Sequence, residues 1–123
     1  MLAAGAKRRE DPTYRENMRL YMVEYRRTHP RKLKHLALTR DFGISVDDYE
    51  RLLAAQGGVC AICGRGETRR HQVGKLMGLS VDHDHRTGRV RGILCSTCNL
   101  TLGKFEDDPA RFRAAAAYLE EAL

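Results

Sequence analysis

Two Cys-x-x-Cys pairs constrain the fold of this chain more than any other feature. The pairs are Cys60 with Cys63 and Cys95 with Cys98, and 31 residues lie between them. Each pair can turn two thiolates toward one tetrahedral ion, and four soft sulfur ligands select zinc or iron. Because four thiolates leave no open position, the pattern predicts a structural zinc site rather than a catalytic one. The alternative is four unrelated thiols or a redox pair.

Length and charge limit the class of protein. The 123 residues suffice for one domain, or for a small core with an appended arm. The net charge is +6, and residues 1–41 carry 11 Lys/Arg against 5 Asp/Glu. This basic N-terminal segment predicts a polyanionic partner such as DNA. The alternative is a basic surface that is simply solvated. Neither a membrane-spanning run nor a signal-peptide core is visible, so we expect a cytoplasmic protein with reduced thiols.

The N-terminal third is expected to be a basic helical arm, residues 1–43. Asp11-Pro12 has the form of a helix start, with a capping aspartate and a proline at the first helical position. Pro30 can open a second helix that runs to about Phe42. The first helix carries a Tyr/Met stripe and a separate stripe of candidate DNA contacts, namely Arg15, Arg19 and Arg26.

Residues 44–123 are expected to form the second domain, and the fold class is α+β and mostly helical. Helix-start signals occur at Ser45, near Ser96 and at Asp108-Pro109, and a hairpin is predicted around Thr87-Gly88. The polar loop at residues 64–78 is the stretch least expected to have regular structure.

A second group of metal-binding side chains lies beside the second cysteine pair. Asp82 offers a carboxylate and Asn99 an amide oxygen, which suit magnesium or manganese rather than zinc. His83 follows Asp82, and an imidazole can take a proton from water near neutral pH. Adjacent side chains of a strand point to opposite faces, so Asp82 and His83 can flank one site only where the strand ends and the backbone bends. An Asp-His pair alone is more often a surface hydrogen bond, but the combination with Asn99 favours a site.

The segment from about Ile44 to Leu119 resembles the recombination endonuclease VII family, a phage-associated branch of the HNH, or ββα-metal, nucleases. The matching motifs are QGGVCAICG, SVDHDHRTGRVRGILCSTCN, the following LG and a last helix ending in YL. The resemblance implies an HNH finger with a four-cysteine zinc site, flanked by N-terminal helices and a C-terminal helix. It also implies a phage protein that acts inside a bacterial host.

The same resemblance implies a metal-dependent phosphodiesterase that cuts DNA to leave a 5′-phosphate and a 3′-hydroxyl. Asp82 and Asn99 would hold one Mg²⁺ or Mn²⁺ ion, and His83 would be the general base. His85 would position the phosphate, help His83 or replace it. Arg89 and Arg91 are candidate phosphate contacts, although they can equally be solvated. Some relatives carry an acid one helical turn after the asparagine, where this chain has Leu102.

Three functions remain open at this point. The first is a resolvase of four-way junctions and other branched DNA, acting as a homodimer through the N-terminal helices. The second is a site-specific or general HNH nickase on duplex DNA. The third is a zinc-ribbon module that binds DNA without catalysis, although a pure binding module has no need of Asp82, His83 and Asn99.

Overall fold

The computed structural model describes residues 8–70 and 77–123. Its elements, in chain order, are α1 (Pro12–Thr28), α2 (Pro30–Phe42), α3 (Val46–Ala55), β1 (Ser80–His83), β2 (Val90–Leu94), α4 (Ser96–Lys104) and α5 (Pro109–Ala122). The predicted α+β, mostly helical class is therefore confirmed. The start of the predicted arm, residues 1–7, and part of the predicted irregular loop, residues 71–76, lie outside the described residues. The chain divides into two compact units, with the boundary between Val46 and Asp47.

Proline and aspartate set the helix boundaries of the first unit, as predicted. The Asp11 side chain accepts a hydrogen bond from the Thr13 amide at 2.9 Å, and Pro12 occupies the first turn of α1. Gly43 ends α2 with a φ of 69°, in the left-handed region that favours glycine. Helix α1 has no buried residue. Its exposed apolar side chains are Met18, Leu20, Tyr21 and Val23. Among the described residues, no helix is long and apolar enough to cross a membrane.

The core of the second unit joins the hairpin to the cysteine pairs. Ile93 is fully buried, and Leu94 packs in one cluster with Cys60 and Cys95. Gln56, just after α3, extends the edge of β2: its amide oxygen accepts from the Ile93 amide at 2.9 Å, and its amide nitrogen donates to the Ile93 carbonyl at 2.8 Å. The first bond satisfies the buried Ile93 amide at the edge of the sheet, and the Ile93 carbonyl also accepts from the Ala61 amide at 3.1 Å.

The two strands form the predicted hairpin. Asp84 shapes the connection, because its Oδ1 accepts hydrogen bonds from the amides of Arg86 at 2.8 Å and Thr87 at 3.2 Å. Gly88 follows with a φ of 76° and donates its amide to the Asp84 carbonyl at 2.7 Å. Asp84 thus stabilises the turn through both its side chain and its carbonyl.

The hairpin contains a bulge at the end of β1. Asp82 pairs with Gly92, whereas His83 pairs with Val90, so Arg91 is an extra residue on β2. A bulge bends the strand that carries the extra residue, here β2. β1 ends at His83, as expected, whereas the backbone bend at Asp82 and His83 stays a prediction.

Candidate functional site

The four cysteines converge on one point. Their sulfur atoms all lie within 4.8 Å of one another, and the Sγ atoms of Cys63 and Cys95 are 3.8 Å apart. Zinc–sulfur bonds of about 2.3 Å in a tetrahedron place two sulfur ligands about 3.8 Å apart. The residues thus fit a structural zinc with four sulfur ligands, and the predicted ligand set of Cys60, Cys63, Cys95 and Cys98 is brought together.

The environment of these cysteines favours a bound cation. Burial raises the pKa of the Cys60 thiol, but hydrogen bonds from backbone amides of both cysteine pairs outweigh it and lower that pKa to about 6. Burial, and then the neighbouring cysteine sulfurs, raise the pKa of Cys98 to about 12. The raised pKa of Cys98 shows that its thiolate is disfavoured beside the other sulfurs, and a zinc ion would supply the positive charge that stabilises it.

Glu67 anchors the helix that follows the second cysteine pair. It is buried, and its carboxylate accepts from the Ser96 amide and hydroxyl, both at 2.8 Å. It also accepts from the amides of Thr68 and Arg69, both at 2.9 Å. Burial raises the pKa of Glu67, but these hydrogen bonds prevail and lower it to about 2. Glu67 thus ties the loop after Cys63 to the N-terminus of α4.

Asp82 lies beneath Arg91 in the hairpin. The Asp82 side chain is 8% exposed, and both its oxygens accept from Arg91: from Nε at 2.7 Å and from Nη2 at 2.9 Å. This hydrogen bonding to Asp82 is the largest cause that raises the pKa of Arg91 above its usual range. A Cβ at Gly92, the strand partner of Asp82, would lie 3.2 Å from Gln56 Oε1, so glycine here leaves room for the Gln56 side chain. Arg91 is therefore held by a carboxylate rather than solvated.

Two histidines and a second carboxylate lie next to this pair. The ring centroids of His83 and His85 are 4.6 Å apart. His83 is half-buried, whereas the His85 side chain is 72% exposed. Asp107, in the turn after α4, has Oδ2 3.5 Å from His85 Nδ1 and accepts from Arg91 Nη2 at 3.2 Å. One chain of contacts thus runs from Asp82 through Arg91 and Asp107 to His85.

Asn99 is presented by α4, which packs against β1. It is half-buried and lies one turn after Cys95, whose carbonyl accepts the Asn99 amide hydrogen at 3.0 Å. A cleft of about 280 Å³ is lined in part by Asp82, Arg91 and Leu102. The elements that carry Asp82 and Asn99 are therefore adjacent. Leu102, one helical turn after Asn99, contributes an apolar wall to this cleft.

The predicted DNA-contacting arginines differ in their surroundings. Arg19 forms two hydrogen bonds with Glu16, both side chains being largely exposed. Arg15 donates to the Arg9 carbonyl at 2.7 Å. Arg26 and, in the hairpin, Arg89 are exposed. Exposed ion pairs contribute little to stability, so even Arg19 can exchange its partner for a phosphate.

A family model describing recombination endonuclease VII matches residues 35–121. This match covers well over half of the chain and includes both cysteine pairs, the bulged hairpin and α4. The chain belongs to the recombination endonuclease VII family. The resemblance seen in the sequence is confirmed.

Two phage proteins are similar to this member of the endonuclease VII family. The Gene 59 protein of Mycobacterium phage L5 is 47% identical over 79 residues, which are 63% of this chain and 44% of that protein. The Gene 59 protein of Mycobacterium phage D29 is 42% identical over 81 residues, 65% of this chain and 46% of that protein. The chain therefore spans less than half the length of these relatives. No solved structure gives a significant match.

Sequence reasoning missed two residues of this site. Glu67 lies in a loop expected to be irregular, and its partner Ser96 is 29 residues away. Asp107 stands directly before Asp108-Pro109, so it reads as part of a helix-start signal. The only hint of a separate role is that one capping aspartate is enough for one helix.

Proposed function

We propose that the second unit, residues 47–123, is a metal-dependent DNA endonuclease of the HNH type. The observation that carries this proposal is the bulged end of β1, which holds the buried Asp82 beside His83 in a member of the recombination endonuclease VII family. A buried carboxylate suits a cation, and an imidazole suits proton transfer. A module that only binds DNA requires neither.

Asp82 and Asn99 are the residues we assign to a catalytic Mg²⁺ or Mn²⁺ ion. Their carboxylate and amide oxygens are donors of the type that these hard cations prefer. The guanidinium of Arg91 already lies on both Asp82 oxygens, so this position accommodates positive charge. A bound divalent ion would supply stabilisation of the charge that develops on the scissile phosphate and on the departing 3′-oxygen.

The remaining residues bind the phosphate and move the proton. His83 accepts the proton of the attacking water, so that cleavage leaves a 5′-phosphate and a 3′-hydroxyl. His85, whose ring lies 4.6 Å from that of His83, positions the phosphate and assists or replaces His83. Phosphate oxygens are contacted by Arg89, just before β2, and by Arg91, within β2. The structural zinc on the four cysteines fixes the start of α4, and hence Asn99.

Branched DNA is the substrate we propose, since the family description names recombination. Resolving a four-way junction requires two cuts, and therefore two copies of the site. The exposed apolar face of α1, with Met18 and Tyr21, is the surface we propose for a homodimer. The basic residues of the arm add phosphate contacts, which make binding salt-dependent.

The test compares a synthetic four-way junction with its matching linear duplex in Mg²⁺, using the wild type, His83→Ala and His85→Ala. We expect paired cuts near the branch, and a loss of about 10²–10⁴-fold in rate for His83→Ala with DNA binding retained. A smaller loss for His85→Ala would identify His83 as the base.

Other outcomes point to the alternative functions. Equal nicking of both substrates would indicate an HNH nickase on duplex DNA. Binding without cleavage in Mg²⁺ or Mn²⁺ would indicate a zinc-ribbon binding module and contradict the proposal.

A further inference from the structure

Asp107 lies in the turn between α4 and α5 and has no part in the reaction proposed above. Glu106 and Asp107 both have a φ of 55°, a left-handed conformation that residues other than glycine seldom adopt. The Asp107 amide donates to the Leu102 carbonyl at 2.9 Å, which closes the turn on α4. Asp108, in contrast, caps α5 through the Ala110 amide at 3.0 Å. Capping α5 therefore does not account for Asp107.

The side chain of Asp107 faces the hairpin instead. Its Oδ2 accepts from Arg91 Nη2 at 3.2 Å, and the same nitrogen donates to Asp82 Oδ1 at 2.9 Å. One guanidinium group is thus shared by two carboxylates that are 25 positions apart in the sequence. Asp107 Oδ1 is buried and has no hydrogen-bond partner among residues 8–70 and 77–123. Buried acceptors normally have a donor, so this oxygen is an exception that calls for an explanation.

We propose that Asp107 is a positioning residue that holds Arg91 and thereby governs how readily Asp82 binds a divalent cation. The inference rests on the proposed role of Asp82 as a metal ligand. Both oxygens of Asp82 accept from Arg91, so a metal ion and the guanidinium compete for one carboxylate. Asp107 is a second acceptor for that guanidinium, and it retains Arg91 when an oxygen of Asp82 is released.

The same carboxylate links Arg91 to His85. Because Asp107 Oδ2 lies 3.5 Å from His85 Nδ1, it orients the exposed imidazole as well as the guanidinium. Without the negative charge of Asp107, Arg91 has Asp82 as its sole carboxylate partner among the described residues. Its hold on Asp82 then tightens, and the metal affinity of the site falls.

The test measures Mn²⁺ binding to the zinc-loaded full chain in the absence of DNA, from the electron paramagnetic resonance signal of free Mn²⁺. We expect Asp107→Asn to weaken Mn²⁺ binding by about 10-fold, the lower end of the range for residues that support a metal ligand. Glu106→Gln removes the same charge one position away, from a side chain that is 75% exposed, and should bind Mn²⁺ like the wild type. Zinc content and circular dichroism verify that each variant is folded.

A double-mutant cycle shows whether Asp107 acts through Arg91. In an Arg91→Gln background, adding Asp107→Asn should change Mn²⁺ affinity little, because the guanidinium that it holds is absent. A purely structural role for Asp107 would instead weaken binding equally in both backgrounds, and that result would overturn the proposal. Equal Mn²⁺ affinity of Asp107→Asn and Glu106→Gln would also overturn it.

Parallel assays separate this inference from the proposed function. Asp82→Asn should abolish Mn²⁺ binding, and wild-type cleavage of the four-way junction should require the metal. If both hold and Asp107→Asn behaves like Glu106→Gln, the role of Asp107 alone is wrong. If the wild type neither binds Mn²⁺ nor cuts DNA, both proposals are overturned.

Discussion

Arg91 and Asp82 bind each other through two hydrogen bonds, of 2.7 and 2.9 Å, across the bulged end of the hairpin. One feature of the backbone accompanies the pair. Arg91 is the extra residue of the bulge in β2. The Asp82 side chain is 8% exposed, whereas that of Arg91 is 35% exposed. A buried carboxylate is thus neutralised by a cation that has a path to solvent.

Replacing Arg91 with methionine should destabilise the metal-free site. The free energy of unfolding should fall by about 1–3 kcal/mol, because the buried Asp82 loses both donors. Mg²⁺ should restore part of the loss, since a divalent ion supplies the missing positive charge. The measurement is urea unfolding of zinc-loaded Arg91→Met with and without Mg²⁺. Arg89→Met, a change at an exposed arginine of the same hairpin, is the control. Identical unfolding of the two variants, unaffected by Mg²⁺, would contradict this role of Arg91.

Mutations should distinguish the four-cysteine zinc site from the proposed Mg²⁺ or Mn²⁺ site. Cys60→Ser should lose both zinc and the folded second unit, because structural zinc contributes about 10–16 kcal/mol of apparent binding free energy in small peptides. Asp82→Ala should keep its zinc, since none of the four sulfur ligands depends on that carboxylate. Zinc analysis and circular dichroism of both variants test this. Loss of zinc from Asp82→Ala would mean that the two sites are not independent.

Local signals predicted the helix boundaries and the four-cysteine cluster. Asp11-Pro12 and Asp108-Pro109 each combine a capping carboxylate with a proline whose φ is fixed. Both effects involve only residues that are close in the sequence. The cysteine pairs were equally clear, because thiolates at this spacing have few other uses. Such signals require no knowledge of which distant segments meet.

Contacts between distant segments were not predictable in the same way. Arg91 was expected to be solvated or on phosphate, but the bulge that turns it onto Asp82 depends on the pairing of two strands. Glu67 meets Ser96 across 29 positions of the sequence, a contact that no local signal marks. Asp107 could not be told from a capping residue, since its partners Arg91 and His85 lie at least 16 positions away.

Arginines of α1 should contribute to DNA affinity by binding phosphates. Arg15→Ala combined with Arg26→Ala should reduce the slope of log K against log salt by about 2, at about 0.9 for each phosphate that the variant no longer neutralises. Arg113→Ala is the control, because Arg113 is an exposed arginine of α5, outside the basic arm. Fluorescence anisotropy with a labelled duplex over a range of salt concentrations gives both slopes. An unchanged slope in the double variant would exclude these arginines as phosphate ligands.

Glu67→Gln should destabilise the second unit in a pH-dependent manner. The pKa of Glu67 is lowered from 4.5 to about 2 in the folded chain, so its ionised form stabilises the protein. The contribution is fully present above pH 4.5 and is lost as the pH falls through about 2. The full contribution of Glu67 to the free energy of unfolding is up to about 3 kcal/mol, at about 1.4 kcal/mol per pKa unit.

Urea unfolding between pH 8 and pH 3 measures this effect, with Glu120→Gln, at an exposed site on α5, as the control. Zinc content is measured at each pH, and the variants are compared only where both retain zinc, so the difference between them isolates the carboxylate of Glu67. That difference should stay constant from pH 8 to about pH 5 and shrink below pH 4.5. A difference that persists undiminished at the lowest pH at which both variants retain zinc would assign the effect to packing against Ser96 rather than to the ionised carboxylate.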